Sequence, residues 1–97
     1  MSVILVTGCS SGFGLSAAKK LAARGDHVFA TMRDPSGKNS GPATELGALP
    51  NIEVIDLDVT SDASVEAAAA AVLAKVTAPD VIINNAGQMF LGLTEAF

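Results

Sequence analysis

A chain of 97 residues with 49% apolar side chains is large enough for one small domain and too apolar to be disordered. Its net charge of −4, with six basic residues scattered along the sequence, argues against nucleic acid or an anionic membrane surface as the main partner. Its one cysteine, Cys9, excludes an internal disulfide, and no apolar run approaches membrane-spanning length, so the expected location is the cytoplasm.

The opening MSVILVTG has no basic start and only a short apolar stretch, so it is read as a strand and not as a secretory leader. Residues 2–7 (SVILVT) are a β-branched run ended by Gly8, the pattern of a strand buried on both faces. Over residues 12–24, Leu15, Ala18, Leu21 and Ala22 share one helical face, while Lys19, Lys20 and Arg24 stay in water. Gly25 is then the residue that ends the helix. Residues 27–32 (HVFATM) predict a second strand. The segment from Arg33 to Pro50 is rich in turn formers, with a one- or two-turn helix expected near 43–48. Residues 51–59 (NIEVIDLDV) predict a third strand, whose Glu53, Asp56 and Asp58 suggest a sheet edge. Ser61 caps a helix over 61–75; Val65, Ala69, Val72 and Leu73 within it, and Val76 just after it, recur at helical spacing, with Pro79 as the stop. Residues 80–84 (DVIIN) predict a fourth buried strand, and LGLTEAF allows a further helix from Thr94.

Strands alternating with helices imply a parallel sheet joined by right-handed crossovers. The expected fold class is α/β, a doubly wound Rossmann-like sheet of order 3-2-1-4. The helices of 12–24 and 43–48 then lie on one face and that of 61–75 on the other. One helix cannot cover four strands, and the fourth strand is left as an open edge. The chain therefore reads as the N-terminal half of a doubly wound domain, spanning residues 1–97, within a larger protein.

Residues 7–14, TGCSSGFG, stand between the first strand and the first helix. Gly8 allows the tight turn, Gly12 removes a side chain where an anion approaches the main chain, and Gly14 lets the helix pack close to the sheet. The amides of the first helical turn, Phe13 among them, face outward at the positive end of the helix dipole, and Ser10 and Ser11 add hydroxyl donors. This loop is read as a phosphate cradle.

The Gly-x3-Gly-x-Gly spacing resembles that of the short-chain dehydrogenase/reductase family, as do two later motifs: Asp58-Val59 after the third strand, and Asn84-Asn85-Ala86-Gly87 after the fourth. The resemblance covers essentially the whole chain. It implies that Asp58 meets the adenine with a backbone group of Val59 beside it, and that Asn85, Ala86 and Gly87 border the adenosine ribose. TGCSSGFG together with ATMRDP is similar to the hydroxysteroid and retinol dehydrogenase side of the family.

An NAD-preferring protein places a carboxylate near the end of the second strand to hold the ribose hydroxyl. Here the sequence is Ala30-Thr31-Met32-Arg33, with no acid before Asp34. Arg33 is either an ordinary loop charge or a donor fork for a 2′-phosphate, so the expected cofactor is NADP, with NAD less favoured.

The resemblance also implies a Tyr-x3-Lys pair, a Ser and an Asn that carry the chemistry beyond the last motif. The sequence contains no Tyr, so no catalytic residue is expected in this chain, and no metal site. His27 reads as a surface residue. Cys9 reads as a small packing residue whose pKa the nearby helix N-terminus could lower. The expected function is the cofactor-binding portion of an NADP(H)-dependent oxidoreductase acting on a small carbonyl or secondary alcohol, in a parent that forms homo-oligomers. A non-catalytic dinucleotide-binding or redox-sensing module is the alternative, and an FMN-binding flavodoxin-like protein fits the three glycines less well.

Overall fold

The computed structural model describes residues 2–10, 12–58 and 60–83. Within them run β1 (Val3–Val6), α1 (Gly12–Ala23), β2 (His27–Met32), α2 (Ser40–Gly47), β3 (Ile52–Asp56), α3 (Asp62–Leu73) and β4 (Val81–Ile83). The strands form one parallel sheet of order β3-β2-β1-β4, as the alternation of elements predicts. Its register sets Ile4 beside Val28 and Val81, and Val28 beside Ile52.

Because side chains alternate along a strand, the sheet carries two cores. Ile4, Val6, Val28, Ala30, Met32 and Ile52 pack with Ala18 and Ala22 of α1 and Leu46 of α2. Leu5 and Phe29 pack on the other face with Val65, Ala68 and Val72 of α3. The expected division, α1 and α2 on one side and α3 on the other, is therefore observed.

Local signals close the helices. After α1, Gly25 takes a φ of 94° and its N–H donates to the Ala22 carbonyl at 3.0 Å, while the Asp26 N–H donates to that of Leu21 at 3.2 Å. That is the Schellman arrangement, which a left-handed glycine permits. Ser61 caps α3, its hydroxyl oxygen accepting from the Ser64 N–H at 3.2 Å.

The opposite rim, where the strands begin, is tied by polar side chains. The Asn51 amide donates to the carbonyls of Ala22 at 2.7 Å and Asp26 at 2.6 Å. The Asp26 carboxylate, only 5% exposed, accepts from the Ser2 N–H at 3.1 Å. Asp80 holds the edge pair, accepting from the Val3 N–H at 2.7 Å.

Several expectations are corrected. The second helix begins at Ser40, ahead of the predicted 43–48, because Pro42 falls in the first turn, where no N–H is needed. The third helix ends at Leu73, well before Pro79, so the proline is not what stops it. The third strand ends at Asp56, leaving Asp58 on the loop that follows. The fourth strand is not buried: Val81 is 46% exposed, and Ile82 and Ile83 are half-buried at the sheet edge of the described residues. The helix predicted from Thr94 lies outside the described residues.

Candidate functional site

In a parallel sheet every strand points the same way, so the loops leaving β1, β2 and β3 gather on one rim. Gly8, Ser10, Gly12, Phe13 and Gly14 leave β1, Arg33 leaves β2, and Asp58 follows β3. The fold thus brings to one edge residues separated by up to fifty positions in the chain.

The β1 loop is stitched to the sheet before it turns into α1. The Thr7 N–H donates to the Ile83 carbonyl and the Cys9 N–H to that of Thr31, each at 3.0 Å. The Val6 carbonyl receives the Thr31 hydroxyl at 3.0 Å and the Cys9 thiol at 3.3 Å. Gly8 and Gly12 hold φ values of 68° and 60°, in the left-handed region that side chains disfavour. Among the described residues, a Cβ built on Gly12 meets no atom within 4 Å outside its chain neighbours and its own helix backbone. Backbone conformation, not crowding by the described residues, therefore calls for glycine there. Gly14 is buried beneath the first turn of α1, whereas Phe13 is 68% exposed. Helix geometry leaves the first-turn amides without intrahelical acceptors, and the loop carries no carboxylate to repel an anion. These groups fit a diphosphate.

Arg33 is exposed at the end of β2, and its main chain is fixed by the turn that follows. The Asn39 amide donates to the Arg33 carbonyl at 2.5 Å. Asp34 adopts a φ of 47° and its carboxylate accepts from the Lys38 N–H at 2.9 Å. A Cβ on Gly37 would stand 2.7 Å from that carboxylate, so a side chain there would displace it from this turn.

Asp58, half-buried on the loop after β3, is held firmly. Its carboxylate Oδ1 accepts both the Thr60 hydroxyl at 2.6 Å and the Thr60 N–H at 3.0 Å. Its own N–H donates to the Ser64 hydroxyl oxygen at 2.8 Å, and its carbonyl accepts from the Ser61 N–H at 3.0 Å. The Thr60 hydroxyl first, then the Thr60 N–H, and the positive charge of Arg33 keep the Asp58 carboxyl below its usual range. Thr60 is absent from the residues the motifs single out. The Asp-x-Thr spacing, which favours a side-chain hydrogen bond across a turn, is the signal that marks it.

Cys9 is the packing residue the sequence suggests, and the one expectation that fails here is that the helix N-terminus could lower its pKa. Cys9 is fully buried, and burial pushes its thiol up to about 12, so the helix N-terminus does not activate it. His27 lies on the opposite rim, half-buried, with its ring stacked on Phe29 at a centroid distance of 4.7 Å. Ser11, Val59, Asn85, Ala86 and Gly87 lie outside the described residues. Among the described residues no group of three or more His, Cys, Asp or Glu stands together to hold a metal ion. No helix of the described residues is long and apolar enough to cross a membrane.

Comparison with known proteins extends this geometry. The family model for short chain dehydrogenases matches residues 2–97. Estradiol 17-beta-dehydrogenase 1 of Rattus norvegicus is 41% identical over 103 residues, spanning 98% of this chain and 29% of that protein. The NADPH-dependent pterin aldehyde reductase of Arabidopsis thaliana is 38% identical over 84 residues, 87% of this chain and 34% of that protein. Among solved structures, the NADPH-bound carbonyl reductase from chicken fatty liver superimposes with a TM-score of 0.83 at 31% identity, covering 100% of this chain and 47% of that one. The chain thus spans well under half the length of the curated relatives it matches.

Proposed function

The chain belongs to the short-chain dehydrogenase family, and we propose that residues 1–97 are the dinucleotide-binding half-domain of an oxidoreductase that uses NADP(H). The observation that carries this reading is the loop between β1 and α1. Two glycines there hold positive φ, and a Cβ on the second meets no atom of the described residues within 4 Å outside its chain neighbours and its own helix backbone.

When bound, the nicotinamide donates or accepts the hydride exchanged with a carbonyl or secondary alcohol. The chain's own residues bind and orient. The amides of the α1 first turn, with Gly8, Ser10, Ser11, Gly12, Phe13 and Gly14, receive the diphosphate. Arg33 offers its planar donor fork to a 2′-phosphate. Asp58 and Val59 flank the adenine, and Asn85, Ala86 and Gly87 border its ribose. The pterin aldehyde reductase and the carbonyl reductase are among the relatives whose names specify NADPH, which supports NADP over NAD. The names of the relatives also point to small carbonyl or hydroxyl substrates. On this reading the parent protein is a homo-oligomer. The chain alone binds cofactor without turnover, because its sequence has no Tyr to supply the Tyr-x3-Lys pair.

Calorimetric titration with NADP+ and NAD+ tests the assignment. The protein binds NADP+ more tightly. Arg33→Asp lowers the ratio of affinities at least about tenfold, the worth of a hydrogen bond to a charged group. An unchanged ratio would overturn the choice of cofactor.

A further inference from the structure

The Asp58 side chain is half committed. Both hydrogen bonds from Thr60 fall on Oδ1, while Oδ2 makes none among the described residues. The main chain on either side of that carboxylate is also pinned, by the Ser64 hydroxyl oxygen at its N–H and by the Ser61 N–H at its carbonyl. Ser61 and Ser64 are themselves joined as the cap of α3, so the base of Asp58 is anchored to a helix and not to a free loop. Thr60, by contrast, is exposed and touches Asp58 through its hydroxyl and its own amide. An exposed threonine that spends both donors on one carboxylate oxygen does little for the core. What it does is fix a rotamer.

We infer that Thr60 is a positioning residue for dinucleotide binding, its hydroxyl holding the Asp58 carboxylate so that the second oxygen is presented, ionised and pre-oriented, to an amino donor on the adenine. This rests on the assignment of Asp58 to the adenine made above. The acceptor geometry is set before the ligand arrives, so the ordering of a free carboxylate is not charged against binding. Arg33, at the end of the neighbouring strand, is the charged side chain among the described residues that acts on Asp58, and it favours the same ionised form.

The test uses Thr60→Val, which keeps the shape and removes the donor, and Thr60→Ser, which restores it. Thr60→Ala serves as a second hydroxyl-free variant should the valine perturb folding. Dissociation constants for NADP+ and NAD+ are measured by calorimetry in the intact protein across acid to neutral pH. Thr60→Val and Thr60→Ala weaken both cofactors by about threefold to tenfold, the worth of one hydrogen bond, because both ligands carry the same adenine. Thr60→Ser binds as the parent does. Loss of the hydroxyl also lets the carboxyl protonate more readily, so in the valine and alanine variants binding falls off at a higher pH than in the parent. A merely structural threonine would not move that profile.

Affinity and pH profile unchanged in Thr60→Val and Thr60→Ala would overturn the proposal, as would a Thr60→Ser variant as impaired as the valine. Asp58→Asn separates the two layers. If it weakens binding while the Thr60 variants do not, only the positioning role fails. If it leaves binding unchanged, the adenine assignment fails with it.

Discussion

Replacing Gly12 by alanine separates what the fold asks of this position from what the ligand asks. The residue holds a φ of 60°, and a Cβ there meets no atom of the described residues within 4 Å outside its chain neighbours and its own helix backbone. The cost to the fold is therefore backbone strain alone, about 1–2 kcal/mol for a side chain in the left-handed region. Against a typical stability of about 5–15 kcal/mol, the variant remains folded. The proposed cradle adds a cost to binding of another kind, because the new methyl would stand where a diphosphate is to reach the amides of α1. Losing even one charge-assisted hydrogen bond is worth about 1.5–3 kcal/mol, a factor of roughly 10 to 100 in Kd. Urea denaturation and calorimetric titration of the same preparation read the two quantities apart. A variant destabilised as expected, yet binding NADP+ within about twofold of the parent, would show that the anion does not approach Gly12 and would refute the cradle.

Cys9 resists alkylation in the folded protein at pH 8, where a thiol shifted to about 12 is thiolate in only about one molecule in ten thousand, and it reacts on adding denaturant; mass spectrometry after iodoacetamide checks this. The same shift carries a sign for stability. The folded value lies above the ordinary 9.0, so the buried thiol's contribution is complete below pH 9 and is lost as pH rises towards 12, which denaturation midpoints follow. Phe29→Ala empties the core between the sheet and α3, where the ring is fully buried, and costs about 3–5 kcal/mol by chemical denaturation.

The legible parts of this fold are those in which local pattern and global topology agree. β-branched runs alternating with amphipathic segments gave both the strand order and the face each helix covers. The acids Glu53, Asp56 and Asp58 correctly marked β3 as an edge. The start of α2 was hidden because Gly41 and Pro42 read as breakers, whereas burial of Leu46 against the sheet draws the segment into a helix whose first turn tolerates proline. The exposure of β4 was legible from topology, since one helix cannot cover four strands, although its apolar run taken alone reads as buried. At the site, the glycine spacing and Arg33 could be placed on one rim from topology alone. The behaviour of Cys9 could not, because two opposing influences act on it. Sequence shows the nearby helix end, and only the packed structure shows the burial that raises the thiol against the lowering backbone hydrogen bond with Thr31. Thr60 escaped because its importance lies in a single hydrogen bond that composition does not rank.

The knot of Asn51, Asp26 and Ser2 lies at the far end of the strands from the glycine loop. β2 has six residues, so about 20 Å of strand separates the two rims. Engineering of cofactor preference and engineering of thermal tolerance then become separable tasks. Libraries confined to the loops leaving the strands can be screened for ligand choice, while changes around Asn51 are selected for robustness, and the two sets combine with little cross-talk.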